Sequence, residues 1–294
     1  MPQEISSPEK MYFPGEKITK KDLIDYYHLI YPLMGPLIEE RAITLERYPS
    51  GIKKSGFLQK DCKTKPPSFL KLLKVKKKDG SFINMHLCNN KDSLTYLVNQ
   101  GTITFHTTLN KKTSQKPDRV IFDLDPSGSS FEPVREAAFF LKEILEKKLS
   151  LKCFVMTTGS RGLHVIVPIT PTLEFDKVRF FAKDVATYMS DLEPKKYTTE
   201  VRKNKRGKRV FIDYLRNSYS QTAVAPYSVR AYPKAPIAMP ISWKELKSPK
   251  LNAKFFILKD VKKALEKKQG KYTKMTPVRQ SLSKSIKTLN QIKA

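Results

Sequence analysis

The clearest pattern of hydrophobic and polar positions lies in the middle of the chain. Arg119 to Asp125 (RVIFDLD) is β-rich and closes on Pro126-Ser127-Gly128, which predicts a strand running into a turn. From about Pro133 to Lys148, Val134, Ala137, Ala138, Leu141, Ile144 and Leu145 recur at helical spacing. Cys153 to Thr158 and Leu163 to Ile169 read as strands joined by the turn GSRG. A second helix fits Glu174 to Asp191, with Val178, Phe181, Val185 and Tyr188 on its buried side, and Lys208 to Leu215 (KRVFIDYL) reads as a last strand. The order β-α-β-β-α-β is the split βαβ, ferredoxin-like arrangement, so the predicted fold class is α+β. Nearer the start, ITKKDLIDYYHLIYPLMGPLIEERAI predicts a helix capped by Thr19. Leu23, Tyr26, Tyr27 and Ile30 share one face of it before Pro32 interrupts.

In a sheet of that topology the first strand lies between the third and the fourth, and both helices cover one face. Side chains alternate across a strand, so Asp123 and Asp125 point the same way. His164 on the third strand and Asp213 on the fourth share their face, which brings three carboxylates and an imidazole together. A register shift of one residue would break that convergence. Two readings are open. Asp123 and Asp125 can be turn formers at a strand end, with Asp213 paired to a nearby Arg. Alternatively the three carboxylates hold hard divalent ions, with triphosphate oxygens and water completing the shell. Two such ions would activate a hydroxyl nucleophile and stabilise a pyrophosphate leaving group.

A second constellation, TTGSRGLH (Thr157 to His164), combines a Gly-bearing turn with the hydroxyls of Thr158 and Ser160, the guanidinium of Arg161 and the imidazole of His164. It reads either as a phosphate cradle or as a plain hairpin turn. The stretch Lys77-Lys78-Asp79-Gly80 has the K-x-D-G spacing of the nucleophilic lysine in nucleotidyl-transferring ligases, but Asp-Gly between β-like segments is also a common hairpin turn. No further nucleotide-binding segments of a ligase core follow it, so the turn is the expected outcome.

Composition narrows the partners. The 294 residues carry 56 Lys and Arg against 28 Asp and Glu, a formal net charge of +28. That excess implies a polyanionic partner, most often nucleic acid. With 39% hydrophobic residues the chain is too apolar to be wholly disordered. No run of apolar residues is long enough to span a membrane, and the first residues lack the apolar core of a secretory signal. The three cysteines, Cys62, Cys88 and Cys153, give neither a zinc pair nor an even disulfide set, which suits a reducing cytoplasm. Basic clusters fall at Lys74 to Lys78, at Val201 to Val210 and through the last residues, where 266–294 reads as a loose basic tail.

Taken together, DRVIFDLDPS, TTGSRGLHVIVPI, RVFIDYLRN and APYSVRAYPKAPIAMPISW resemble the polymerase domain of bacterial ligase D, of the archaeo-eukaryotic primase superfamily. SPEKMYFPGEKITKKDLIDYY, RYPSGI and GFLQK resemble its other signature segments, and the likeness runs from about residue 8 to about 260. The resemblance implies a primase-polymerase fold: a ferredoxin- or RRM-like βαββαβ catalytic sheet (about 116–265), with an N-terminal α/β portion (about 1–115) packed against it in a single domain, 1–265.

The resemblance further implies that Asp123, Asp125 and Asp213 bind two Mn²⁺ or Mg²⁺ ions. Thr158, Ser160, Arg161, His164 and Arg230 would hold the triphosphate of an incoming nucleoside triphosphate, with His106 near its sugar. Lys10 and Lys20 would grip a 5′-phosphate across a gap, and Arg47 and Phe57 would meet the template strand, where a ring can stack on a base. Thr104 stands where the family often has Glu, Thr158 where it often has Ser, and Leu58 where a second aromatic is frequent. The implied activity is template-directed nucleotidyl transfer that fills gaps and extends ends during non-homologous end joining. Ready use of ribonucleotides, a preference for Mn²⁺ and a nucleoid-associated cytoplasmic location go with it, as do a Ku-like end-binding protein and a separate DNA ligase as partners. The alternatives are a primase that starts chains de novo, a non-catalytic DNA-end- or RNA-binding protein, and a two-metal nuclease.

Overall fold

The computed structural model describes residues 4–77, 79–266 and 278–293. The chain forms two compact units: Met1–Thr113 with Thr222–Met239 and Phe256–Gly270, and Ser114–Gln221 with Pro240–Phe255 and Lys271–Ala294. A linear division at about residue 115 therefore omits the later segments that return to the first unit.

The first unit opens with a small hairpin, β1 (Met11–Phe13) and β2 (Ile18–Thr19), that leads into α1 (Lys20–Ile38). The Thr19 side chain accepts a hydrogen bond from the Asp22 N–H and the Asp22 carboxylate accepts from Thr19 N–H at 2.8 Å, a closed capping box. The helix does not stop at Pro32. It runs through Pro32 and Pro36 because its buried face continues as Met34, Leu37 and Ile38, and packing of that face outweighs the hydrogen bonds the prolines remove. Strands β3 (Ala42–Arg47), β4 (Phe57–Gln59), β5 (Lys71–Lys76) and β6 (Phe82–Leu87), helix α2 (Lys91–Asn99) and strand β7 (Thr102–Thr108) follow.

Between β5 and β6 the KKDG stretch is a hairpin turn. Lys77 N–H donates to Ser81 O at 2.7 Å, and the Asp79 carboxylate accepts from both Ser81 N–H (2.9 Å) and Ser81 O–H (2.6 Å). Gly80 takes the left-handed conformation (φ 86°) that the turn requires. Lys78 lies outside the described residues.

The second unit holds β8 (Arg119–Asp125), α3 (Glu132–Glu143), β9 (Phe154–Thr157), β10 (Leu163–Pro168), α4 (Phe175–Leu192), β11 (Tyr197–Thr198) and β12 (Val210–Asp213). The chain then returns twice. β13 (Thr222–Val224) joins the first sheet, whose order is β13-β7-β3-β6-β5 with β4 on β3. β14 (Pro240–Ile241) joins the second, ordered β11-β12-β8-β10-β9-β14. Strand β8 thus lies between β10 and β12, as the ferredoxin-like order predicts, and Val120, Phe122 and Leu124 are fully buried, the apolar set that alternates with its acidic residues. Short helices α5 (Trp243–Leu246), α6 (Val261–Glu266) and α7 (Ser283–Lys293) complete the chain.

The expectation of a loose tail over 266–294 is corrected for residues 278–293. Leu282, Ser285 and Leu289 are buried, the Ser285 hydroxyl donates to Leu149 O at 2.9 Å, and the Gln280 amide bridges Lys152 O (2.9 Å) and Pro168 O (3.1 Å). A short apolar stripe at helical spacing is enough to fold a lysine-rich segment once it has a surface to cover. Residues 267–277 of the expected tail lie outside the described residues.

Candidate active site

Strand pairing builds the acidic cluster. Asp213 on β12 and His164 on β10 each lie directly opposite Asp123 on β8, and Phe211 lies opposite Asp125. Directly opposed residues share a face, and so do Asp123 and Asp125 two positions apart. The register on which the convergence depended is therefore in place.

Arg216 sits among these carboxylates, on the short helical turn Leu215–Asn217 that follows β12. Its Nε donates to Asp123 Oδ2 at 3.1 Å and lies 3.6 Å from Asp213 Oδ2. His164 Nε2 is 3.5 Å from the other Asp123 oxygen, and the Asp213 carboxylate accepts from Leu215 N–H at 2.7 Å. The arginine pairing that was one of the two open readings is thus present, and it engages two carboxylates rather than one.

The three acids are not equivalent. Burial favours the neutral form of Asp123, but His164 and Arg216 outweigh it and hold that carboxyl at about 2. Asp125 is pushed up to about 6, by burial first and then by the charges of Asp123 and Asp213, against the pull of Arg161 and Arg216. Asp213 is raised by burial and by Asp123, opposed by Arg216, the Leu215 N–H and Arg206. One firmly ionised carboxylate beside two reluctant ones is a charge arrangement that a dication would relieve.

The sign for stability follows. Because Asp125 has a folded value of about 6 against an ordinary 3.8, the folded chain keeps a proton that the unfolded chain releases between those values. In chelator-containing buffer, stability relative to Asp125→Asn is expected to be fully present below pH 3.8 and lost as pH rises through about 6. Melting curves of the two proteins across that window check this; parallel curves would contradict it.

Among the described residues no three His, Cys, Asp or Glu side chains are gathered as a metal site, and the Arg216 guanidinium touches two of the three candidates. The donors themselves fit a hard divalent ion. They are carboxylate oxygens on adjacent positions of a rigid sheet, two of them destabilised as anions by their neighbours.

The turn between β9 and β10 is built tightly against β8. The Thr158 hydroxyl donates to Gly162 O at 3.0 Å and accepts from Gly162 N–H (3.2 Å) and Ser160 N–H (3.3 Å), so it closes the turn. Gly159 is left-handed (φ 65°). A Cβ on Gly162 would lie 2.1 Å from Leu124 O, between the two acidic positions of β8, so only glycine lets the turn come this close. Arg161 is exposed and favours the ionised form of Asp125. Of the expected triphosphate ligands, Arg161 and His164 thus act on the acidic cluster, and Thr158 is engaged within the turn.

The remaining candidates lie in the first unit. His106 on β7 stands opposite Thr44, and Glu46 on β3 opposite Thr104. His106 Nε2 is 3.6 Å from Glu46 Oε2, and the Tyr48 hydroxyl donates to Glu46 Oε1 at 3.2 Å. Burial opposes ionisation of Glu46, but His106, the Arg230 charge and the Thr104 hydroxyl hold its carboxyl below its usual range. Arg230 N–H donates to Pro236 O at 2.8 Å.

Lys20 is almost fully buried. Its Nζ donates to Ser6 O, to Ser6 Oγ (3.1 Å) and to Asn99 Oδ1 (3.0 Å), and its N–H donates to the carbonyl of exposed Lys10 at 2.8 Å. Burial, then the Lys10 charge, lower its pKa. Arg47 donates to Gln59 Oε1 (2.7 Å) and to Gln100 O (3.0 Å), with its guanidinium 5.4 Å from the Phe57 ring centroid. Phe57 is 48% and Leu58 64% exposed, so neither is a core residue.

Sequence reasoning did not single out Arg216, Glu46, Tyr48, Gly162, Ser6 or Asn99. The only advance signal for Arg216 is its place three residues after Asp213. The others act through strand pairing, close backbone approach or contacts far apart in the chain.

A mixed sheet with carboxylates on its central strands, beside a turn that carries Arg161, suits phosphoryl-transfer chemistry, and comparison with known proteins identifies the family. The chain belongs to the LigD primase-polymerase domain family, whose model matches residues 19–272. It is 29% identical over 251 residues to the multifunctional non-homologous end joining protein LigD of Mycolicibacterium smegmatis, covering 84% of this chain and 33% of that protein. To the bifunctional LigD of Bacillus subtilis it is 29% identical over 256 residues, covering 86% of this chain and 41% of that one. The chain thus spans about a third of the length of the first relative and about two fifths of the second. Among solved structures, the polymerase domain of Mycobacterium tuberculosis ligase D in complex with DNA superposes with a TM-score of 0.88 at 25% identity, covering 93% of this chain and 98% of that one.

Proposed function

We propose that this chain is a template-directed nucleotidyltransferase that adds nucleotides at broken or gapped DNA during non-homologous end joining. The observation that carries the reading is the register that sets Asp213, Asp123 and His164 side by side, with Asp125 on the same face. Family membership and the likeness to a polymerase domain solved with DNA support it. A non-catalytic binder built on such a sheet would need aromatic residues where these carboxylates stand.

Asp123, Asp125 and Asp213 would hold divalent metal, Mn²⁺ or Mg²⁺, which when bound supplies charge neutralisation for phosphoryl transfer. Arg161 and His164 lie beside the acidic cluster and, with Arg230, would neutralise and orient the triphosphate. The turn from Thr158 to Gly162 fixes where Arg161 starts, and Asp123 holds the His164 ring through Nε2. His106 would face the sugar. The primer 3′-hydroxyl would attack the α-phosphorus, passing its proton to solvent water, as the bond from the α-phosphorus to the pyrophosphate oxygen breaks and pyrophosphate leaves. Positioning of this kind accounts for most of the catalysis in phosphoryl transfer.

Lys10 and Lys20 would take a recessed 5′-phosphate. An ammonium desolvated beside a second cation gains from an added anion, and Ser6 and Asn99 keep it aimed. Arg47 and Phe57 would meet the template, the ring exposed for stacking. Ribonucleotides and Mn²⁺ are the expected substrates and ion. The cytoplasm, close to the nucleoid, is the expected place of action, and a Ku-like protein and a DNA ligase the expected partners.

Primer extension on a 5′-phosphorylated gap, with Mn²⁺ or Mg²⁺ and each nucleotide type, tests the reading. Extension that needs primer and template supports it; synthesis from template alone would replace it with a primase, and no synthesis under any condition would refute it. Lys20→Ala is expected to weaken binding to phosphorylated gaps about tenfold or more while leaving unphosphorylated gaps nearly unchanged, in line with loss of one charge-assisted contact. Equal weakening of both DNAs in a fluorescence titration would remove Lys20 from the phosphate pocket.

A further inference from the structure

We propose that Glu46 is the positioning carboxylate of His106: it keeps the ring proton on Nε2, so that Nδ1 offers a lone pair to a hydroxyl of the incoming sugar and favours ribonucleotides. The inference rests on the reading of His106 as the sugar-facing residue. The geometry is that of two neighbouring strands. Glu46 stands diagonally across from His106, opposite Thr104, and its Oε2 lies 3.6 Å from His106 Nε2, ion-pair distance on the same face of neighbouring strands.

The carboxylate is itself held. Tyr48 O–H donates to its other oxygen at 3.2 Å, and the register shift between Glu46 and Arg47 marks a bulge of the kind that re-aims a side chain at a strand end. Glu46 stays ionised against its burial because His106, Arg230 and Thr104 favour the anion. An ionised carboxylate on Nε2 selects the tautomer with the proton there, and the opposite nitrogen is then an acceptor. A deoxyribose lacks the 2′-hydroxyl that such an acceptor can bind, so the pair discriminates between sugars by one hydrogen bond.

Position 104 is on the same face of β7 as His106, two residues away, and lies opposite Glu46. A carboxylate at either position of that cross-strand pair would reach the same imidazole. The structure thus supplies its own rescue experiment, moving the acid from β3 to β7.

The test uses the full chain with Glu46→Val, the isosteric Glu46→Gln and the double variant Glu46→Val/Thr104→Glu. Single-turnover extension with ribo- and deoxyribonucleoside triphosphates is read beside ¹⁵N NMR of the histidine rings, which reports the tautomer directly. Glu46→Val is expected to lower the ribo-to-deoxyribo ratio of kcat/KM about tenfold, the size of one net hydrogen bond, and to shift His106 away from the Nε2–H tautomer. Glu46→Gln, whose amide oxygen still accepts, should fall between, and the double variant should restore both readouts.

An unchanged tautomer in both Glu46→Val and Glu46→Gln overturns the proposal. So does a shifted tautomer with an unchanged sugar ratio when His106→Ala does lower that ratio. If His106→Ala leaves the ratio unchanged, the sugar-facing reading of His106 falls and the selectivity claim with it, and the NMR arm shows separately whether Glu46 sets the ring.

Discussion

Asp123→Asn is expected to abolish nucleotide addition, by a factor on the order of 10³ or more, while DNA binding stays intact. The substitution keeps the shape of the side chain and removes the one carboxylate that touches both His164 and Arg216. It also removes the member of the trio that is most firmly ionised, at about 2. Binding should survive because the lysines that serve it are elsewhere and the chain loses one negative charge from a net +28. Extension rates on a primed gap, measured beside an electrophoretic binding assay at fixed salt, check both halves. Activity within tenfold of the wild type would remove Asp123 from the chemistry.

The second large effect is structural. Gly162→Ala places a methyl group 2.1 Å from Leu124 O, a backbone atom with no rotamer to give way. The turn from Thr158 must then lift off β8 or push the strand between Asp123 and Asp125. A core clash of this kind costs about 3 kcal/mol or more, which in a chain of this size lowers the melting temperature by roughly 5 °C or more. Displacing the carboxylates by even a fraction of their spacing should reduce extension about 100-fold. Differential scanning calorimetry and the extension assay read these together. A variant with wild-type melting and activity would show that the turn has room the backbone distances deny it.

Much of the catalytic sheet is legible in the sequence. Arg119 to Asp125, the two amphipathic helices and the later strands announce themselves through β-rich apolar runs or helical spacing, and fold-wide topology then places Asp213 beside Asp123. The Thr19 cap is equally local and is found where expected. What escapes is everything fixed by packing rather than by pattern. Pro32 marks a stop by local chemistry, yet the buried face of α1 carries the helix past it. The lysine-rich end reads as solvated until Leu282 and Leu289 find a surface. Glu46 looks like any charged residue at a strand end, and only the pairing of β3 with β7 sets it against His106. Arg216 is visible as a neighbour of Asp213, but its hydrogen bond to Asp123 depends on the adjacent strand.

The late strands β13 and β14 have a practical corollary for handling this molecule. Each is an outer strand of a different sheet, and they are contributed by one short stretch of chain after both sheets have otherwise been laid down. A truncated gene ending at Gln221 would leave Thr102–Thr108 and Phe154–Thr157 as open borders, inviting self-association of the kind exposed strand margins promote. An amino-terminal piece ending near Thr113 would likewise lack the strand that covers β7. Expression as halves should therefore yield aggregates, whereas in the intact polypeptide β13 and β14 cover those two margins.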